Sequence, residues 1–159
     1  IGSLKSYAHK SGVFEIDIPN NWDLQDNSKS DELILIWTDP TQNGAVIVDI
    51  FEDDKEYNED ELTDTLRTYL QNSFGEQPDF YVEDPTPQND GSVLIVWSYT
   101  ATADNGTDAT LLGNTFIEQR GNKISLLSTL VPQDQFDSLV DKTNEIINTY
   151  KIDTEAAIS

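Results

Sequence analysis

Leu33-Ile34-Leu35-Ile36-Trp37 and Val93-Leu94-Ile95-Val96-Trp97 are apolar at every position, and the run from Ala45 to Phe51 is broken only by Asp49. Each run has the length of a β-strand. A strand with one wet face alternates apolar and polar residues, so runs apolar on both sides demand cover on both sides. Asp39-Pro40 and Gln42-Asn43-Gly44 stand between the first run and the one from Ala45, which marks that pair as a hairpin. A sheet clad on its two faces is therefore the starting constraint.

Two amphipathic segments supply the cladding. Asn58 is a good N-cap with Glu61 three residues on, and Glu59 and Asp60 complement the helix dipole. Leu62, Leu66, Tyr69, Leu70 and Phe74 follow as one stripe, Gly75 reads as a C′ residue, and Pro78 prevents resumption. Burying such a stripe contributes on the order of 2 kcal/mol per large side chain before entropy is subtracted. A second helix is expected from Pro132, with Phe136, Leu139, Val140, Thr143, Ile146, Ile147 and Tyr150 on one face.

The remaining elements read as strands. Phe14, Ile16 and Ile18 alternate with Glu15 and Asp17 until Pro19, and Trp22 lands an aromatic anchor beside them. Lys5 to Ser11 suits a first strand with Tyr7 inward, and the polar stretch from Asp23 to Asp31 suits a surface loop. Phe80–Asp84, Val93–Thr100, Thr110–Gln119 and Ile124–Leu130 form a meander, with a hairpin tip at Ala103-Asp104-Asn105-Gly106. The expected fold is α/β in composition (α+β in order): an antiparallel sheet flanked by two helices, an α/β/α sandwich. A single domain over 1–159 is expected, with a linker or tag remnant at 1–4 and a frayed tail at 153–159.

Charge restricts partners more than it restricts the fold. Nine Lys and Arg against 30 Asp and Glu give a net charge of -21, which repels phosphodiester backbones and anionic lipid headgroups. Neither nucleic acid nor direct membrane insertion fits, whereas a protein partner with a basic surface does. Solubility or adaptation to a salty medium explains the same charge. Cysteine and methionine are both absent, so no disulfide is expected, and the chain is expected to be a processed or trimmed product.

Chemistry-bearing motifs are sparse. His9 is the sole histidine, without a nucleophile signature, and reads as structural or solvated. There is no P-loop, dinucleotide fingerprint or EF-hand, and no cofactor is expected. Zinc would need more nitrogen or sulfur ligands than the chain offers. The acidic cluster around Asp49, Glu52, Asp53, Asp54, Glu56 and Glu59–Glu61 is the densest anionic patch. Glu52, Asp53, Asp54 and Glu56 are its weak candidates for calcium or magnesium; the competing reading is a solvated loop ahead of a helix. Paired carboxylates, with Trp22, Trp37 and Trp97 to stack sugars, would serve a hydrolase, but Trp37 and Trp97 end apolar strands, where core packing is the commoner fate. Asn105-Gly106-Thr107 matches a glycosylation acceptor and is equally explained by the hairpin turn.

Ser11 to Leu24, SGVFEIDIPNNWDL, resembles the start of PsbP-like domains, where a Phe-x-x-x-x-Pro-x-x-Trp pattern opens the sheet. Val131 to Ile152, VPQDQFDSLVDKTNEIINTYKI, is similar to their closing helix. The resemblance implies a non-enzymatic accessory or binding module, among whose relatives are many secreted bacterial lipoproteins. It thus implies an extracellular or cell-surface location, with lipid anchoring upstream of the chain as one form. A small-ligand or divalent-cation binder is the alternative, and a hydrolase a remote one. Photosynthetic members bind through basic residues, and the opposite charge here carries over the fold without a photosystem role.

Overall fold

The computed structural model describes residues 3–41, 44–103 and 105–158. In chain order these form β1 (Leu4–Ala8), β2 (Phe14–Pro19), β3 (Asp23–Asp26), β4 (Glu32–Thr38), β5 (Ala45–Glu52), α1 (Glu59–Phe74), β6 (Tyr81–Val82), β7 (Thr86–Pro87), β8 (Val93–Thr102), β9 (Asp108–Arg120), β10 (Lys123–Pro132), α2 (Phe136–Thr149) and β11 (Lys151–Ile152). The large antiparallel sheet has the order β3-β4-β5-β10-β9-β8-β6, with β7 also on β8, and β1-β2-β11 form a separate small sheet.

Cross-strand pairs such as Leu126 with Ile117 and Asp49, and Leu127 with Phe116 and Val48, sort side chains onto two faces. On one face Ile124, Leu126, Ile117, Val93, Ile95 and Trp97 meet Leu62, Leu66 and Leu70 of α1. On the other, Leu33, Leu35, Trp37, Val46, Val48, Ile50 and Leu127 meet Phe14, Ile16 and Ile18 of β2 and Ile146 of α2. The two helices thus lie on opposite sides, as the apolar runs require. Trp97 reaches across to Gly113, where a Cβ would sit 2.2 Å from the indole, so only glycine admits the ring.

The cover is staggered. The layer of α1 lies over the β8–β9–β10 end of its face, and β2 with α2 lies over the β4–β5–β10 end of the other. Ile34, Ile36 and Ile47 on one side, and Leu94, Val96, Leu112 and Phe116 on the other, are only partly buried and belong to neither core. An apolar run on both faces means here that each end of the sheet has one deeply buried side and one shallow side.

The α1 capping box forms as expected: Asn58 Oδ1 accepts from the Glu61 amide at 2.8 Å, and Glu61 Oε1 accepts from the Asn58 amide at 3.1 Å. Five expectations need correction. The polar stretch after Trp22 holds the exposed edge strand β3, because backbone pairing with β4 needs no apolar side chain. Gly75 closes α1 in a right-handed conformation (φ -61°), not as a left-handed C′ residue. Pro132 ends β10, and a 3-10 turn at Gln133–Gln135 intervenes before α2. The Phe14 strand lies in the small sheet above the large one. Among the described residues the tail is packed: Asp153 donates its amide to the Val13 carbonyl at 2.7 Å, and Ala156 and Ile158 rest on the core. The expectations at Ile1-Gly2, Gln42-Asn43 and Asp104 fall outside the described residues.

Candidate functional site

The shallow end of the α2 face hollows into a cleft of about 530 Å3 between β9 and α2. Phe116, Leu127, Ile147 and Tyr150 give it an apolar floor, and Gln88, Asn89, Asp90, Glu118, Asn144 and Asn148 give it a polar rim. Strand and helix periodicities produce this convergence. Phe116 and Glu118 alternate onto one face of β9, and Asn144 and Asn148 lie one turn apart on α2. Asp90 stands in the turn before β8, where Gly91 takes a positive φ of 89°.

The rim carboxylates differ in environment. Asp90 Oδ1 accepts from the Ser92 amide at 3.0 Å and hydroxyl at 2.6 Å, and these bonds hold its carboxyl below the usual range. Burial pushes Glu118 upward, and Arg120 offsets part of that. Arg120 Nη2 donates to Glu118 Oε2 at 2.8 Å and to the Asp90 carbonyl at 3.0 Å, and lies 3.7 Å from Asp90 Oδ2. Burial raises the Tyr150 phenol, whose hydroxyl pairs with Ser125. Acceptor-rich groups above an apolar floor suit a ligand with a donor or cationic head and an aliphatic stem.

A second constellation lies on the α1 face. Asp49, the one break in its apolar run, is 7% exposed, and its Oδ1 has no hydrogen-bond partner. Burial, with a hydrogen bond to Glu32, pushes its carboxyl up to about 8. Tyr69 of α1 lies beside it, and on the same face the Ser128 hydroxyl pairs with Thr115 at 2.8 Å, which accepts from the Trp97 indole at 2.9 Å. Asp49 is buried, whereas glycoside hydrolysis needs two carboxyl groups that flank an accessible sugar. The geometry gives the hydrolase alternative no support at this pair.

Three of the four metal candidates have separate partners. Glu52 pairs with the buried Lys123 at 3.2 Å, and Asp53 accepts from the Tyr57 hydroxyl at 2.6 Å and the Lys55 amide at 2.9 Å. Asp54 accepts from Asn122 Nδ2 at 3.5 Å, and Glu56 is exposed. Among the described residues, no group of three or more His, Cys, Asp or Glu is placed to hold a metal ion. His9 is buried, stacked on Phe14 and bonded to Ser11 through Nδ1, away from the cleft, and burial lowers its basicity. Trp37 and Trp97 are core residues, Trp22 is partly buried against the same core as Trp37, and Asn105 is in an exposed turn with Oδ1 accepting from the Thr107 amide. Sequence reasoning passed over Asp90, Glu118, Arg120, Asn144 and Asn148. The available signal was Glu118, a charge two places after Phe116 in a strand otherwise alternating toward a covered sheet.

No family model matches the chain, and no curated protein matches it in sequence. Solved structures do match in fold. Cyanobacterial PsbP (CyanoP) from Synechocystis sp. PCC 6803 aligns with a TM-score of 0.62 and 16% identity, over 96% of this chain and 94% of that one. The Ran-binding protein Mog1p of Saccharomyces cerevisiae gives 0.60 and 10%, over 96% of each. LpqN of Mycobacterium tuberculosis, described as involved in cell envelope biogenesis, gives 0.50 and 14%, over 94% of this chain and 90% of that one. Among the described residues no helix is long and apolar enough to cross a membrane. Near-complete coverage at such low identity is a statement about backbone, and with the element order above it is plain: this chain has the PsbP-like fold.

Proposed function

We propose that this chain is a non-enzymatic accessory domain of a secreted or surface-tethered protein, and that it holds a basic segment of a protein partner in the cleft between β9 and α2. The observation that carries this reading is the cleft itself: an apolar floor around Phe116 beneath converging carboxylates and amides. Two things support it further. The net charge of -21 favours a basic partner and raises its encounter rate at low salt. The fold neighbours are consistent with an accessory or protein-binding role, one being described as Ran-binding and another as acting in cell envelope biogenesis.

The test is affinity capture from the extracellular fraction of the source, with the wild-type domain and Phe116→Asp side by side at low salt. A partner retained by the wild type and lost from the variant is expected, because a charge in the floor removes its apolar contact. Equal capture by both would place binding elsewhere and end this reading.

A further inference from the structure

The mouth of the cleft already contains the kind of group that the cleft recognises. Arg120 extends from the end of β9 and lays one terminal nitrogen between Glu118 Oε2 (2.8 Å) and the Asp90 carbonyl (3.0 Å), with Asp90 Oδ2 at 3.7 Å. Its side chain stays 38% exposed, and the bonds it makes to these acceptors all come from Nη2. The two acceptors differ: the Glu118 side chain is only 18% exposed, whereas the Asp90 side chain is 62% exposed and is held in place by two hydrogen bonds from Ser92. A guanidinium presents five donors in a rigid fork, and pairing through one corner uses a fraction of them.

Resting on the reading that the cleft binds a partner, we propose that Asp90 and Glu118 form a guanidinium subsite, closed in the free protein by Arg120 and taken over on binding by an arginine of the partner. The incoming stem lies along Phe116 toward Ile147, and the side-chain amides of Asn144 and Asn148 face the partner's backbone. Arginine rather than lysine is specified, because two acceptor groups on separate elements match a planar fork better than a point charge. Arg120 is thereby an internal competitor, and its removal strengthens binding.

The probe is the blocked tripeptide acetyl-Gly-Arg-Gly-amide, titrated by 1H–15N NMR into wild type, Arg120→Ala and Glu118→Gln, with the citrulline tripeptide as a neutral isostere. Arg120→Ala is expected to bind the arginine peptide about tenfold more tightly than wild type, the scale of one charge-assisted hydrogen bond freed from competition. Shifts should centre on Asp90, Phe116 and Glu118, the citrulline peptide should not bind, and Glu118→Gln should weaken the complex. Arg120→Gln replaces Arg120→Ala if the spectrum of the latter shows a disturbed fold. No gain on removing Arg120, or equal binding of the citrulline peptide, overturns the subsite. The cleft as a partner site is judged separately by the Phe116→Asp capture.

Discussion

Asp49→Asn is the substitution whose effect the structure defines most sharply. In the unfolded chain the Asp49 carboxyl titrates near 3.9, whereas in the fold burial and Glu32 push it up to about 8. Between those values the folded protein keeps a proton that the unfolded chain has released. Stability contributed by this group is therefore complete below about pH 4 and is lost as pH rises toward 8, by up to ~1.4 kcal/mol per unit. Asparagine keeps the shape and never ionises. The two proteins should match near pH 4, and the variant should lead by up to about 5 kcal/mol at pH 8, the linkage accumulated over about four pH units. In a chain of this size that is up to about 15 °C in Tm. Denaturant titrations of both proteins at four pH values between 4 and 8 measure the difference directly, and carboxylates elsewhere, including the depressed Asp26 and Asp90, cancel in the comparison. A difference flat across that range would show that Asp49 is ionised in the fold and would refute the reasoning.

Gly113→Ala should cost about 2–4 kcal/mol, because its Cβ would sit 2.2 Å from the Trp97 ring; thermal unfolding followed by tryptophan fluorescence reads the loss, and a change under 1 kcal/mol would mean the ring moves freely. Leu66→Ala, on the buried face of α1 with 0% exposure, should cost about 2–5 kcal/mol by denaturant titration; a smaller loss would show that α1 is loosely held. Millimolar calcium should leave Tm where an ionic-strength control leaves it, since Glu52, Asp53 and Asp54 are spent on Lys123, Tyr57 and Asn122; a specific upward shift would restore the acidic loop as a cation site.

The parts of the fold that could be read in advance were those where local signals and burial agree. Asn58 with Glu61, the stripe at Leu62, Leu66 and Leu70, and the alternation of Phe14, Ile16 and Ile18 each answer to one element's own periodicity. The failures concern relations between elements. Nothing in Asp23–Asp26 reveals a strand, because its stabilisation comes from β4's unpaired backbone. The third strand of the small sheet depends on β11 finding β2 across the whole chain, a pairing of 2 residues that no pattern announces. The cleft was illegible for the same reason: Asp90, Glu118 and Asn148 are ordinary surface polar residues until β8, β9 and α2 bring them together. Asp49 is the instructive middle case, since a charge inside an apolar strand was visible and its meaning awaited Glu32 and Tyr69.

The absence of cysteine allows a photo-crosslinker to be placed at one chosen position. A benzophenone maleimide on Asn148→Cys reports from the cleft, and the same reagent on Asp64→Cys reports from exposed α1 on the opposite side of the sheet. Irradiated with the captured partner at low salt, the label at position 148 should form a covalent adduct and the label at position 64 should not. An adduct from position 64, with none from position 148, would contradict the assignment of the cleft as the partner site.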